Sequence, residues 1–196
     1  MEHRGFKCIP FSDGRFRYRY DLIKNQESKP IIFIGLNPSK GGTEKPSDRT
    51  IDKFIDFVTG KFKDDFKGFT PTEHQHILIC NLFLTVEGNS TRLGDEELME
   101  DSAHKIAVEI LDDKKYESAP VVCCWGNVKN VKGKNIKKNA KTAIDNLKEH
   151  LKRHQCYRLS DNPHESLYFA RSWSSRAGEQ NWGKPLTEIP KELFEN

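Results

Sequence analysis

The residues best equipped for chemistry stand where short apolar runs stop. Ile31–Ser39 reads IIFIGLNPS, Ile77–Thr85 reads ILICNLFLT, Val121–Asn127 reads VVCCWGN, and Leu159–Leu167 reads LSDNPHESL. A carboxamide carries a donor and an acceptor on one planar group, which suits it to holding a water or reading the edge of an amide-like ring. Asn37, Asn81 and Asn162 each lie at such an end. Gly35 permits close approach of another group to the backbone, and Pro38 sets the turn that carries Asn37. Trp125, before Gly126, offers either a stacking face or a core anchor. Each feature also has a purely structural use, since Asn-Pro is an ordinary turn former and a buried Asn can simply bond a neighbouring loop.

These ends matter because of the elements that must position them. The blocks Ile31–Ile34, Ile77–Cys80 and Val121–Cys124 are continuously apolar, as strands covered on both faces tend to be, and Cys156–Leu159 is a fourth strand block. Ile51, Phe54, Ile55 and Val58 follow Ser47 and Asp48 at helical spacing, with those two residues as candidate N-caps. Leu98, Ala103, Ile106, Ala107, Ile110 and Leu111 mark a second helix, and Ile136, Ala140, Ile144, Leu147 and Leu151 a third. The order βαβαβαβ predicts a three-layer α/β/α sandwich with a short, mostly parallel sheet and a ligand site at the carboxyl ends of its strands. Arg15–Tyr20, RFRYRY, alternates basic and aromatic residues and predicts an edge strand or hairpin within residues 1–28. Residues 29–170 are the expected core of a single domain, and 171–196 a loop with a docked tail.

Composition narrows the classes. The chain has 196 residues, with 32 Lys and Arg against 29 Asp and Glu for a net charge of +3. That length buries a sizeable core without staples. No window is apolar enough for a membrane span and the opening lacks a signal-peptide core, which predicts a cytoplasmic address. The five scattered cysteines have no C-x-x-C spacing and read as reduced thiols, against a disulfide framework or a zinc ribbon. His150/His154 and His74/His76 lack an accompanying carboxylate pattern, and neither a Walker A nor a G-x-G-x-x-G sequence is present, so no metal and no cofactor is expected. Between Val128 and Arg153, nine Lys or Arg residues oppose only Asp145 and Glu149. Lys129, Lys132 and Lys134 lie just before or at the start of the third helix, where phosphate contact and a solvated helix face are the two readings.

ILICNLFLTVEGN followed by VVCCWGNVKNVKG resembles the uracil-DNA glycosylase superfamily, whose members carry an Asn-containing strand leading to L-T-V and a later strand ending in W-G. GLNPS is similar to the G-I-N-P-G motif of its mismatch-specific branch, and Asn162-Pro163 stands where that branch has N-P-S. Residues 16 to 170 also resemble a family of bacterial and phage proteins known only as a domain of unknown function. Its F-I-x-L-N-P-S, D-x-T-I-x-x-x-x-x-F, N-L-F and C-W-G patterns correspond here to Phe33–Ser39, Asp48–Phe57, Asn81–Phe83 and Cys124–Gly126. Many members have H-P-L-Y after the last strand, where this chain has Glu165-Ser166-Leu167-Tyr168. Many glycosylases have Asp and His where this chain has Asn37 and Asn162.

The glycosylase resemblance implies a uracil-DNA glycosylase-like fold and a DNA glycosylase-like protein that hydrolyses the N-glycosidic bond of an unusual, mismatched or modified base. On that reading Asn37 and Asn162 are the catalytic positions, with Asn37 holding the attacking water. Gly35, Asn81 and Trp125 receive an extruded base. Lys40, Lys129, Lys132, Lys134, Ser166, Arg171 and Arg176 contact the nucleic acid, with Trp173 a candidate wedge. An Asn is no general base, so chemistry at Asn37 rests on a positioned water and an oxocarbenium-like state and is expected to be slow. Two alternatives stay open: a non-catalytic base- or nucleic-acid-binding module, and an enzyme acting on a free nucleoside or nucleotide. Only the DNA-binding readings predict steep salt dependence.

Overall fold

Strands without a polar face must be covered on both sides, and the computed structural model is built that way. It describes residues 1–13, 15–38, 41, 45–61, 69–86, 103–131, 133–171 and 185–195. Eight strands form one sheet: β1 (Glu2–His3), β2 (Phe6–Ser12), β3 (Arg17–Ile23), β4 (Pro30–Gly35), β5 (His76–Asn81), β6 (Val121–Cys123), β8 (Cys156–Leu159) and β10 (Leu186–Glu188). Their spatial order is β1-β2-β3-β5-β4-β6-β8-β10. A separate antiparallel pair joins β7 (Gly126–Asn127) to β9 (Phe169–Ala170). The helices are α1 (Arg49–Val58), α2 (Ala103–Asp112) and α3 (Lys134–Leu151). The protein is therefore a mixed α/β fold.

The four blocks expected from the sequence, β5, β4, β6 and β8, run parallel, while β1, β2, β3 and β10 are added antiparallel at the two sides. A mostly parallel sheet thus describes only the centre. β3, which carries most of the Arg15–Tyr20 alternation, forms an antiparallel hairpin with β2 and is not an edge strand, because its other side pairs with β5. Its alternation reflects two different faces, with Tyr20 and Leu22 in the core and Arg19 and Asp21 paired to each other.

Two apolar layers lie on opposite faces of the sheet. Alternate residues Ile31 and Phe33 of β4 pack with Ile51, Phe54, Ile55, Phe57 and Val58 of α1, and the Phe33 and Phe54 rings stack at 4.2 Å. Ile32 and Ile34 face the other way, onto Ala107, Ile110 and Leu111 of α2 and Ile136, Ala140, Ile144, Leu147 and Leu151 of α3. Full burial of each large side chain stabilises by about 1.5–3 kcal/mol, which is why the apolar face of each helix settles its position. Asp48 caps α1 by accepting from the N–H groups of Thr50 and Ile51 at 2.9 and 3.1 Å. Leu98, the first apolar position expected for the second helix, lies outside the described residues. No helix among the described residues is long and apolar enough to cross a membrane.

Candidate functional site

The central strand order creates a switch point. β4 leads through α1 to β5 on one side, and β5 leads through α2 to β6 on the other side of β4, so the crevice at the carboxyl ends of β4 and β6 is where such a sheet takes ligands. Backbone pairing continues past the strands and zips three of the four motifs together. Leu82 donates to the Gly35 carbonyl and Phe83 to that of Leu36, both at 2.9 Å, and Cys124 donates to Ile34 at 2.9 Å.

Within this rim, Gly35 and Asn81 are register partners. Asn81 shares the α1 side of the sheet with Ile77 and Ile79, because strand side chains alternate. A Cβ placed on Gly35 would stand 2.6 Å from the Asn81 Oδ1, so only glycine lets this carboxamide lie where it does. Asn81 is 4% exposed, and its Nδ2 is buried with no hydrogen-bond partner among the described residues. A buried amide donor left unmade costs about 1–3 kcal/mol. Asn37 is half-buried one turn further on, its Nδ2 donating to the Pro38 carbonyl at 3.1 Å.

The loop bearing Asn37 is pinned by residues whose part in the site the sequence reading missed. Arg17, at the start of β3, is 2% exposed and its Nη1 donates to the Gly41 carbonyl. Burial pulls its guanidinium pKa down to about 10, against the opposing attraction of Asp48 and of Tyr20, whose ring lies 5.4 Å from the guanidinium carbon. The Gly41 N–H donates to Asp48 Oδ2 at 3.1 Å, and the Tyr20 hydroxyl donates to the Pro46 carbonyl at 2.5 Å. A Cβ on Gly41 would meet the Asp48 carboxyl carbon and backbone nitrogen at 2.7 Å. The second glycine signal was therefore in the sequence, directly after GLNPSK.

Trp125 and Asn162 are placed differently. The indole of Trp125 is 1% exposed in the core below the rim, and its Nε1 donates to the Leu167 carbonyl at 3.3 Å. It ties the W-G strand end to the last loop and presents no open face for stacking. Asn162 is exposed, and its Oδ1 accepts from the His164 N–H at 3.0 Å in a turn. It follows β8, two strands from β4 with β6 between, or about 10 Å across the sheet. Strand pairing brings Gly35 and Asn81 together, with Asn37 two residues beyond Gly35, while Asn162 lies in the loop after β8 and bonds within its own turn.

One family model matches the chain, over residues 17–166, and its description is a protein of unknown function, DUF1643. The chain belongs to the DUF1643 family. The match runs from Arg17, at one end of the rim, to Ser166 in the loop after β8, so it contains every rim residue described above. No curated protein and no solved structure matches this DUF1643 chain.

The basic side of this DUF1643 protein lies next to the W-G strand end. Lys129 and Lys134 are exposed, and Lys134, Lys137, Lys138 and Lys141 recur at i, i+3, i+4 and i+7 along the first half of α3. Its first turn contains no acidic residue, so lysine charge adds to the positive end of the helix dipole. Lys141 and Lys148 stand 5.4 and 5.8 Å from the Tyr168 ring centroid, and Arg171 stands 5.0 Å from that of Phe169. Tyr168 donates to Asp145 at 2.7 Å, and burial together with that carboxylate pushes its phenol up to about 12. Ser166 is exposed on the same loop. Lys40, Lys132, Trp173 and Arg176 lie outside the described residues.

The histidine pairs are engaged singly. His150 Nδ1 lies 2.7 Å from Asp112, both ring nitrogens of His154 face backbone carbonyls at 2.9 and 3.1 Å, and His74 Nδ1 lies 3.1 Å from the Pro30 carbonyl. Among the described residues no three His, Cys, Asp or Glu side chains group to hold a metal ion.

Proposed function

We propose that this protein binds nucleic acid, takes one base out of the stack against the Gly35–Asn81 rim, and hydrolyses the N-glycosidic bond of an unusual, mismatched or modified base. The observation that carries the reading is the Asn81 carboxamide, nine-tenths buried, wedged against a glycine, with its Nδ2 unpartnered at a strand end. A buried donor left unmade at a strand end in the ligand-binding rim is one that a ligand can meet, and a pyrimidine carbonyl is an acceptor it fits. Because the donor is buried, a base reaches it only by displacing what now covers it, which makes capture an induced-fit event. The lysines of the 128–141 segment supply the sequence-independent phosphate attraction such a protein needs. The likeness of GLNPS and of Asn162-Pro163 to motifs of the mismatch-specific uracil glycosylases is in keeping with the same reading.

In the reaction, Asn37 holds a water whose oxygen bonds to C1′ as the C1′–N bond breaks, and the water's proton leaves to the departing base or to solvent. Asn37 orients and does not deprotonate, so turnover is slow. One observation favours a second reading, a base-binding module without chemistry: the Asn162 carboxamide oxygen is engaged in its own turn. A free nucleoside or nucleotide as substrate is the third.

The deciding experiment incubates the protein with single- and double-stranded oligonucleotides carrying uracil, mismatched thymine, hypoxanthine and modified pyrimidines, and reads free base by mass spectrometry. Release that is lost in Asn37→Ala upholds the glycosylase. Salt-sensitive binding without release moves the assignment to the binding module, and no binding with turnover of free nucleoside moves it to the third reading.

A further inference from the structure

Arg158 of β8 is fully buried, yet among the described residues no carboxylate bonds it. Its guanidinium instead collects four backbone carbonyls of one loop: Nη1 donates to Ser166 at 2.9 Å and Phe169 at 3.1 Å, and Nη2 donates to Pro163 at 3.0 Å and to Glu165. Its Nε is buried without a partner among the described residues, and burial holds its pKa below the usual range. Such a cation holds its loop rigidly, its charge met by peptide dipoles at hydrogen-bond distance and by the Glu165 carboxylate through space.

Every peptide bond in the described chain is trans, so a carbonyl aimed at Arg158 sends the N–H of the same peptide the opposite way. For the Glu165 and Ser166 carbonyls those are the N–H groups of Ser166 and Leu167, consecutive and directed away from the guanidinium. Among the described residues neither donates to a backbone carbonyl. Successive outward N–H groups with a fixed positive charge behind them form an anion-binding concavity. Lys141 and Lys148 flank Tyr168 and Arg171 covers Phe169 on the same loop, while the Glu165 carboxylate is held by the Ser160 hydroxyl at 2.6 Å. Glu165 itself, Asp161, Asp145 and Glu192, which lies 3.9 Å from His164, are the opposing charges nearby in sequence or contact.

We infer that Arg158 is a positioning residue that turns the 163–168 loop into an oxyanion site, in which the Ser166 and Leu167 N–H groups bind one phosphate group. That this phosphate belongs to a nucleic-acid strand rests on the function proposed above, whereas the site itself does not.

The test is a titration of the ¹⁵N-labelled full chain with inorganic phosphate, followed by amide correlation spectra. Saturating downfield shifts of the Ser166 and Leu167 amide protons are expected. No saturating shift at those two, or shifts confined to the lysines of α3, would overturn the proposal. Arg158→Lys keeps a charge but cannot span four carbonyls, and is expected to weaken phosphate about tenfold or more with spectra elsewhere unchanged. Undiminished affinity in that variant contradicts the inference. Should it not fold, Ser166→Pro deletes one of the two donors and must weaken phosphate likewise, or the inference fails. Phosphate bound at this loop by a protein that binds no oligonucleotide upholds the site and removes the nucleic-acid reading. Oligonucleotide binding with no phosphate response at the loop does the reverse.

Discussion

Replacing Gly35 by alanine tests whether the Gly35–Asn81 contact is specific. The new Cβ would stand 2.6 Å from the Asn81 Oδ1 and 3.7 Å from its Cγ, and contacts under 3.0 Å are ones that real Cβ atoms essentially never make. Asn81 must therefore move, in a strand end zipped to its neighbour by backbone bonds. Overpacking of this kind costs about 1–3 kcal/mol. Alanine restricts the unfolded chain more than glycine does, which returns about 0.5–1 kcal/mol. The expected net loss is about 0–2.5 kcal/mol. Asn81→Ala alone removes both the carboxamide and its unmade donor, whose burial costs about 1–3 kcal/mol, so its own effect on stability is small. With Asn81 already alanine the clash is gone, and adding Gly35→Ala is neutral or mildly stabilising. Urea unfolding of the four proteins should give a coupling energy of about 1–3 kcal/mol. Equal cost of Gly35→Ala in both backgrounds would refute the contact, and with it the reason for a glycine at this rim.

Other expectations follow from the same geometry. Asp48→Ala removes the α1 cap and the acceptor of the Gly41 N–H, and should lower stability by about 0.5–2 kcal/mol, read as a shift in urea midpoint. Burial lowers the pKa of His74 and His76 below 6.5, so the unfolded chain binds protons that the folded chain refuses. Their stabilising contribution is complete above about pH 6.5 and is lost as pH falls through the lowered values, so the urea midpoint should drop between pH 7.5 and 5.5 and drop less in His76→Phe. All five cysteines are buried, with Cys80 pushed up to about 12 by burial and Cys124 and Cys156 also raised. A thiol reagent should therefore label the native protein far more slowly than the urea-unfolded chain, and rapid native labelling would contradict the packing.

The central elements were legible because their physics is local. Ile31–Ile34 and Ile77–Cys80 are apolar without alternation, and Ile51, Phe54, Ile55 and Val58 repeat at 3.6, so layer order and helix faces follow from the pattern alone. The antiparallel additions were harder to read. β3 mixes aromatic and charged residues because its two faces meet different surroundings, and β10 is held chiefly by pairing with β8. At the site, Gly35, Asn37 and Asn81 could be picked out by residue type at strand ends. Arg17 and Arg158 could not, because what buries them is backbone carbonyl oxygen contributed by Gly41 and by residues 163–169, which leaves no mark on side-chain pattern. Trp125 and Asn162 show the converse: a core aromatic and a turn Asn carry the same letters as a stacking platform and a catalytic amide.

The most direct measurement compares binding of oligonucleotides bearing a test base with binding of the same strands bearing an abasic site, in the wild type and in Asn81→Ala. Binding is to be followed by fluorescence polarisation across a salt series. The account predicts that at least one base raises wild-type affinity about tenfold or more over the abasic strand, that Asn81→Ala abolishes this advantage, and that the salt slope set by phosphate contacts is the same in both. Equal binding of base-bearing and abasic strands by the wild type, or a base preference that survives Asn81→Ala, would contradict it.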